Sequence, residues 1–273
     1  MFLTDSHLHS ICSSDGHYTM LEMAIASHNK GIDTLCFTDH CDMDNCMTGE
    51  PNPNCFSNRW EMVKMYEETI AAAPDGMTIR LGLELGEINH DPLRASEIAS
   101  SKELDFVLGS LHNLSGKPDF YDIEYRDADF CRALIDEYMD ELVEFSKLPC
   151  FDVMAHIGYP VRYTRRKGYN TEISLNTYEE RLRQILKNLI LNGKGIEINC
   201  SGFSNPLIYD SIPSLDIIKL YKDLGGEIIT VGSDAHKTEQ AGQGLEEGFD
   251  ILRQLGFKYV TVFEKRKPLF LKY

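Results

Sequence analysis

Short apolar runs bounded by turn residues alternate with amphipathic helical patterns from end to end of this chain, and that alternation constrains its fold most. Seven runs read as strands: Phe2–Ser6, Thr34–Thr38, Ile79–Leu85, Phe106–Leu111, Asp152–Ala155, Gly195–Asn199 and Ile228–Gly232. Continuous apolar runs of this kind suit strands buried on both faces, as parallel strands are. Thr19-x-x-Glu22 and Thr177-x-x-Glu180 have the form of capping boxes. Leu21, Ala24, Ile25 and His28 follow the first at helical spacing, with Gly31 at the expected C′ position. Leu182, Ile185, Leu186, Leu189 and Ile190 follow the second, ending at Gly193. Phe130, Leu134, Tyr138, Leu142 and Phe145 mark a long amphipathic helix, and Leu215, Ile218 and Leu224 another. Leu245, Phe249 and Leu252 mark a last one before Gly256, and Lys258–Phe263 reads as a terminal strand. Seven β-then-α units predict an α/β fold with a parallel sheet, and the number favours a closed barrel. No linker or shift in composition divides residues 1–273, which read as a single domain.

Composition removes the alternatives. With 42% hydrophobic and 26% charged residues the chain is an ordinary globular one. No run approaches the roughly 20 apolar residues of a membrane span, and the start lacks a basic and apolar leader. A cytoplasmic protein, monomer or homodimer, is expected. The formal net charge of −16 disfavours nucleic acid and anionic membranes as partners. Eight cysteines without a Cys-x-x-Cys read as free thiols. Cys36, Cys131 and Cys200 fall in apolar stretches; Cys41, Cys46 and Cys55 crowd one loop-like segment, where a structural zinc is the lesser reading.

Six of nine histidines, His7, His9, His40, His112, His156 and His236, fall at or just past the end of a predicted strand. A barrel gathers those ends on one face, so the six imidazoles should converge with Glu84 and Asp234 as metal ligands. One histidine at a strand end is usually a satisfied polar residue, but six on one rim point to metal. His28 is expected in the core and His90 in solvent. Asp5-Ser-His7-Leu-His9 puts two imidazoles on the same side of an extended chain.

Followed by Ser13-Ser14-Asp15-Gly16, Thr38-Asp39-His40 and Gly232-Ser233-Asp234-Ala235-His236, this ordered set resembles the PHP (polymerase and histidinol phosphatase) superfamily over essentially the whole chain. Phe106–His112, Phe151–His156, Tyr159-Pro-Val-Arg162-Tyr and Ile196–Gly202 resemble the monofunctional histidinol-phosphatases. The resemblance implies a distorted (β/α)7 TIM-like barrel holding two to three divalent ions. Carried over, one ion takes His7, His9, Glu84 and Asp234; a second shares Glu84 and takes His112 and His156; a third takes Asp15, His40 and His236. Relatives often have His at the Asp15 position, and His17 competes for that role.

The implied activity is hydrolysis of L-histidinol phosphate, a step of histidine biosynthesis, by attack of a metal-bound hydroxide. Divalent ions neutralise phosphoryl oxygens and lower the pKa of bound water towards about 7. Glu84, Asp234 and His236 are the expected catalytic residues, with Glu84 bridging two ions. Arg162, Asn113 and Ser201 are expected to bind substrate, since a planar guanidinium suits bidentate phosphate capture. Some relatives have a second basic residue where Ser201-Gly202 stands here, which argues against a two-arginine clamp. Arg165-Arg166-Lys167 reads as surface. Asp5 and Asp39 are expected to orient ligands, and Ser110 and Cys200 to pack or to support the ligands from behind. Imidazole with carboxylate suits Mn, Fe or Zn. The alternatives are a PHP-type phosphatase for phosphotyrosine or a nucleotide, an exonuclease, an amidohydrolase and a metal-binding module without turnover.

Overall fold

The computed structural model describes residues 3–273. Eight strands share one parallel sheet: β1 (Thr4–Leu8), β2 (Thr34–Phe37), β3 (His40–Asp42), β4 (Thr78–Gly86), β5 (Phe106–Ser110), β6 (Val153–Met154), β7 (Gly195–Asn199) and β8 (Ile229–Gly232). They lie in the order β1-β2-β4-β5-β6-β7-β8, while β3 continues beside the far half of β4. β2 and β3 are thus one strand position interrupted at Thr38-Asp39, and the barrel has the expected seven positions. Its edges meet: His9 N donates to Ala235 O at 2.9 Å and Asp234 N to His7 O at 2.8 Å. These bonds join the far ends of β1 and β8, so the sheet is nearly closed there.

Helices α1 (Met20–His28), α2 (Arg59–Ala72), α3 (Pro92–Ala99), α4 (Ala128–Phe145), α5 (Val161–Arg166), α6 (Leu175–Leu191), α7 (Leu215–Asp223) and α8 (Leu245–Leu255) follow or flank the strands. Leu35, Leu83, Val107, Met154, Ile196, Ile198 and Val231 pack in one core with helix residues such as Leu134, Leu186 and Phe249. Since successive strand side chains alternate in direction, neighbours such as Glu84 and Glu197 point the other way, into the barrel. No helix among the described residues is long and apolar enough to cross a membrane.

Several local expectations need correction. Phe2 lies outside the described residues, and β1 extends two residues further than expected. Of Asp152–Ala155 only Val153–Met154 pairs as strand. The box at Thr19 forms, but α1 buries Met20, Met23, Ala24 and Ser27, one position out of phase with the expected stripe. His28 is therefore not core: it is half-exposed and pairs with Asp33 at 2.6 Å. Gly31, at φ +77°, stands two residues past the C-cap Asn29. α6 starts earlier, from Ser174, and kinks at Tyr178, so Thr177 does not cap it. α2 and α3 were not announced by apolar spacing: α2 buries only Met62 and Thr69, whereas α3 depends on the Asp91 cap and Pro92 at its start. The terminal strand, β9 (Val260–Glu264), forms a separate antiparallel hairpin with β10 (Lys267–Leu271).

Candidate metal centre

The barrel closure brings the nine expected ligands to one rim. His7 lies on β1, His40 opens β3, and Glu84 sits on β4, while His112, His156, Asp234 and His236 follow β5, β6 and β8. Asp234 has φ +56°, a left-handed conformation that Asp tolerates better than bulkier residues. It turns the chain off β8 so that Oδ1 stands 3.6 Å from both His7 Nε2 and His9 Nε2.

The distances suit cations. His7 Nε2 is 3.0 Å from His9 Nε2 and 3.2 Å from Glu84 Oε2, which is 3.5 Å from His9 Nε2. Donors held about 2.1 Å from one ion stand about 3.0 Å apart at right angles and about 3.4 Å apart at tetrahedral angles. On the other side, Glu84 Oε1 lies 2.8 Å from His156 Nε2 and 3.1 Å from His112 Nε2. Asp15 lies 3.2 Å from His236 Nε2 and 3.7 Å from His40 Nε2. His40 lies between sets, because its Nδ1 is also 3.1 Å from Glu84 Oε2. Asp15 and His17 are both exposed and neither joins the tightest clusters among the described residues, but the Asp15 carboxylate is the one that lies beside His40 and His236.

Hydrogen bonding shows why these atoms need a positive partner. His7 Nδ1 donates to Glu197 Oε1 at 2.6 Å. His9 Nδ1 donates to Ser13 Oγ at 3.0 Å, and that hydroxyl's own hydrogen goes to Asp39 at 2.8 Å. With both protons fixed on Nδ1, neutral His7 and His9 aim Nε2 lone pairs at each other and at two carboxylates. Such an array requires a proton or a metal ion between its members. Buried His40 Nδ1 and His236 Nε2 likewise make no hydrogen bond.

Electrostatics divides the histidines. Burial pulls His7 down, but Glu197, Glu84 and Asp234 outweigh it and hold the imidazole well above its usual value. Against the same burial, Glu84 and Asp42 push His40 up to about 10. Burial, with His236 and His40 alongside, holds His9 well below its usual value. Burial would raise Glu84 and Asp234, yet His7 with His112 and His40 lowers the first well below the carboxylate range, and His7 with Arg162 the second.

The supporting contacts correct several expectations. Asp39 works through Ser13, as described. Asp5 does not touch an imidazole; it accepts from the backbone N of the expected ligand His7 at 3.3 Å, and from Ser233 N at 2.9 Å and Ser233 Oγ at 2.5 Å, joining β1 to β8. Asp42 accepts from His112 Nδ1 at 3.2 Å, a contact the sequence reading missed, as it missed Glu197. His90 is not solvated but held between Asp44 at 2.6 Å and Glu141 at 2.9 Å. The cysteines are all free, and none joins a metal-competent cluster among the described residues.

Beside the cluster is a cavity of about 470 Å³ lined by Glu84, Asp234, Arg162, Ser201, Tyr159 and Tyr163, among others. Arg162 Nη2 donates to Ser201 Oγ at 2.7 Å, Asn199 Oδ1 at 3.0 Å and Asp234 Oδ2 at 3.1 Å. Arg162 Nε is buried without a partner. Expected substrate residue Asn113 does not line the cavity: it is fully buried and donates to Asp44 and to Leu114 O, both at 3.2 Å. Arg166 is exposed as expected, over the Tyr121 ring, but Arg165 ties down Thr171 O at 2.9 Å.

Residues 5–201 match the family model described as PHP domain. The probable histidinol-phosphatase of Thermotoga maritima is 27% identical over 266 residues, 97% of each chain. The histidinol-phosphatase of Lactococcus lactis subsp. lactis is 26% identical over 274 residues, covering 96% of this chain and 95% of the relative. A crystal structure of histidinol phosphate phosphatase from that organism, complexed with zinc, L-histidinol and phosphate, matches with a TM-score of 0.73 at 23% identity, over 98% of both chains. That likeness is one of fold, and it agrees with a distorted TIM-like barrel. By its match over most of its length, this chain belongs to the PHP domain family.

Proposed function

We propose that the chain is a divalent-metal-dependent phosphomonoesterase acting on L-histidinol phosphate. Glu84 carries the reading: one fully buried carboxylate offers Oε2 to His7 and His9 and Oε1 to His112 and His156, beside an arginine in a cavity. His7, His9, Glu84 and Asp234 would hold one ion, Glu84, His112 and His156 a second, and Asp15, His40 and His236 a third. Their nitrogen and oxygen donors suit Mn, Fe or Zn. Bound there, the ions would supply positive charge against the phosphoryl oxygens and acidify water. Arg162 would orient the phosphate through the N–H groups it does not spend on Asn199, Ser201 and Asp234, and Ser201 would keep the guanidinium facing the cavity. One relative named histidinol-phosphatase and one named probable histidinol-phosphatase, matched over 95–97% of their lengths, support the choice of ester.

Phosphate release from L-histidinol phosphate, phosphotyrosine and AMP with added Mn²⁺ tests this. We expect L-histidinol phosphate to lead by more than tenfold in kcat/KM. Preference for another ester would overturn the substrate, and release from none would overturn the phosphatase.

Arg162→Ala should lower kcat/KM roughly 10- to 200-fold, because hydrogen bonds to charged groups contribute about 1.5–3 kcal/mol. Since Arg162 also pairs with Asp234, the assay belongs at saturating Mn²⁺, where a loss of phosphate grip persists and a loss of metal does not. Lysine should restore part, lacking the planar fork. Arg166→Ala should stay within twofold of wild type; equal effects at the two arginines would remove Arg162 from phosphate binding.

A further inference from the structure

Glu197 lies on β7, almost wholly buried, outside the cavity wall and outside every ligand set above. Its Oε1 accepts from His7 Nδ1 at 2.6 Å, while Oε2 accepts from the backbone N of His156 at 2.9 Å and from Asn199 Nδ2 at 3.3 Å. One carboxylate therefore ties β1 and the end of β6 to β7, and it touches residues from two of the ligand sets. The neighbouring strand leaves room for it. A Cβ on Gly232 would stand 2.6 Å from Glu197 Oε1 and 2.4 Å from His7 Cβ. Gly232 is not among the glycines with a left-handed φ, so its missing side chain serves this close approach rather than a turn.

Resting on the metal reading above, we infer that Glu197 is a positioning residue that sets the tautomer and rotation of His7 for metal binding. A carboxylate only accepts, so it fixes the proton on Nδ1 and leaves the Nε2 lone pair aimed at Glu84, His9 and Asp234. The opposite tautomer would put hydrogen on Nε2, in the space a cation needs. Through His156 N, the same carboxylate also holds the strand end whose imidazole reaches the far oxygen of Glu84. A purely structural buried pair would join the strands equally well without any bearing on metal affinity.

Competition for Zn²⁺ between the full-length protein and a chromophoric chelator separates the two roles. Glu197→Gln keeps the size of the side chain but can turn an N–H₂ towards His7 Nδ1, selecting the wrong tautomer. We expect the affinity of at least one site to fall about 10- to 100-fold, with the far-UV circular dichroism of the metal-free protein unchanged. Glu197→Asp, which keeps the charge but is shorter, should bind at intermediate strength. Zn²⁺ binding by the Gln variant within threefold of wild type would overturn the inference, as would an Asp variant no better than Gln. If the Gln variant does not fold, the Asp variant decides: weaker binding supports the role and wild-type binding overturns it. A wild-type protein that takes up no Zn²⁺ would overturn the metal reading itself, before any variant is compared.

Discussion

Glu84→Gln should abolish nearly all turnover, by about 10²- to 10⁴-fold, and release at least one metal ion while the barrel stays folded. Both Glu84 oxygens are engaged, with His156 and His112 at 2.8 and 3.1 Å on one and His7, His40 and His9 at 3.1–3.5 Å on the other. The amide offers one acceptor oxygen instead of two and no charge. Its N–H₂ would have to face one of the two imidazole groups, in the place of a cation. A loss of turnover of that size corresponds to about 3–5 kcal/mol of transition-state stabilisation, at about 1.4 kcal/mol per factor of ten. A terminal ligand such as Asp15, more than half exposed, should matter less because its loss touches one ion and water can replace it. Elemental analysis beside kcat at saturating Mn²⁺ checks this. Activity within tenfold of wild type, with full metal content, would show that Glu84 does not bridge.

The strand ends were legible because four of the seven apolar runs stop directly at His7, Asp39, His112 or His156, and barrel closure then needed only the number of units. Glu84 stood out as a carboxylate between Leu83 and Leu85 in a buried strand. Glu197 carries the same signal between Ile196 and Ile198, because the alternation of strand side chains turns it inward too, but no histidine follows its strand to mark it. Asn113, expected to bind substrate, is instead fully buried outside the cavity and spends its amide on Asp44 and Leu114 O, partners that nothing local in the sequence reveals. The phase of α1 could not be chosen from spacing because Met20 and Leu21 are equally apolar, and His28 followed the wrong stripe. His90 lies in a polar segment, and nothing local reveals the carboxylates of Asp44 and Glu141 that fold places on either side of it.

Stripped of divalent ions, the protein should melt lower than its metal-loaded form, and the gap should widen as pH rises from about 6.5 towards 10. Without metal, protons are the only cations available to the converging lone pairs. Against burial, His7 and His112 are held well above the usual imidazole value and His40 is pushed up to about 10, all by carboxylates including Glu84. A histidine whose folded pKa is raised stabilises the fold fully below its unfolded value of about 6.5, and that contribution disappears as pH climbs through the folded pKa. His9 and His156, lowered by burial, are neutral in the folded protein throughout this window, and the unfolded chain is common to the stripped and loaded forms, so they do not change the gap. His90 and Lys194, the latter lowered to about 8 by burial, titrate with or without metal and so cancel in the difference. In the loaded form the ions occupy the same lone pairs, so the loss is absent, and weaker proton competition at high pH tightens metal binding in the same direction. At a free concentration of 1,000 times Kd, one ion adds about 4.1 kcal/mol. At about 2–4 °C per kcal/mol for a chain near this size, that is a shift of about 8–16 °C. Thermal melts at pH 6.5, 8 and 9.5, with and without chelator, decide it: a gap that is absent, or constant with pH, would mean that these imidazoles do not exchange protons for metal.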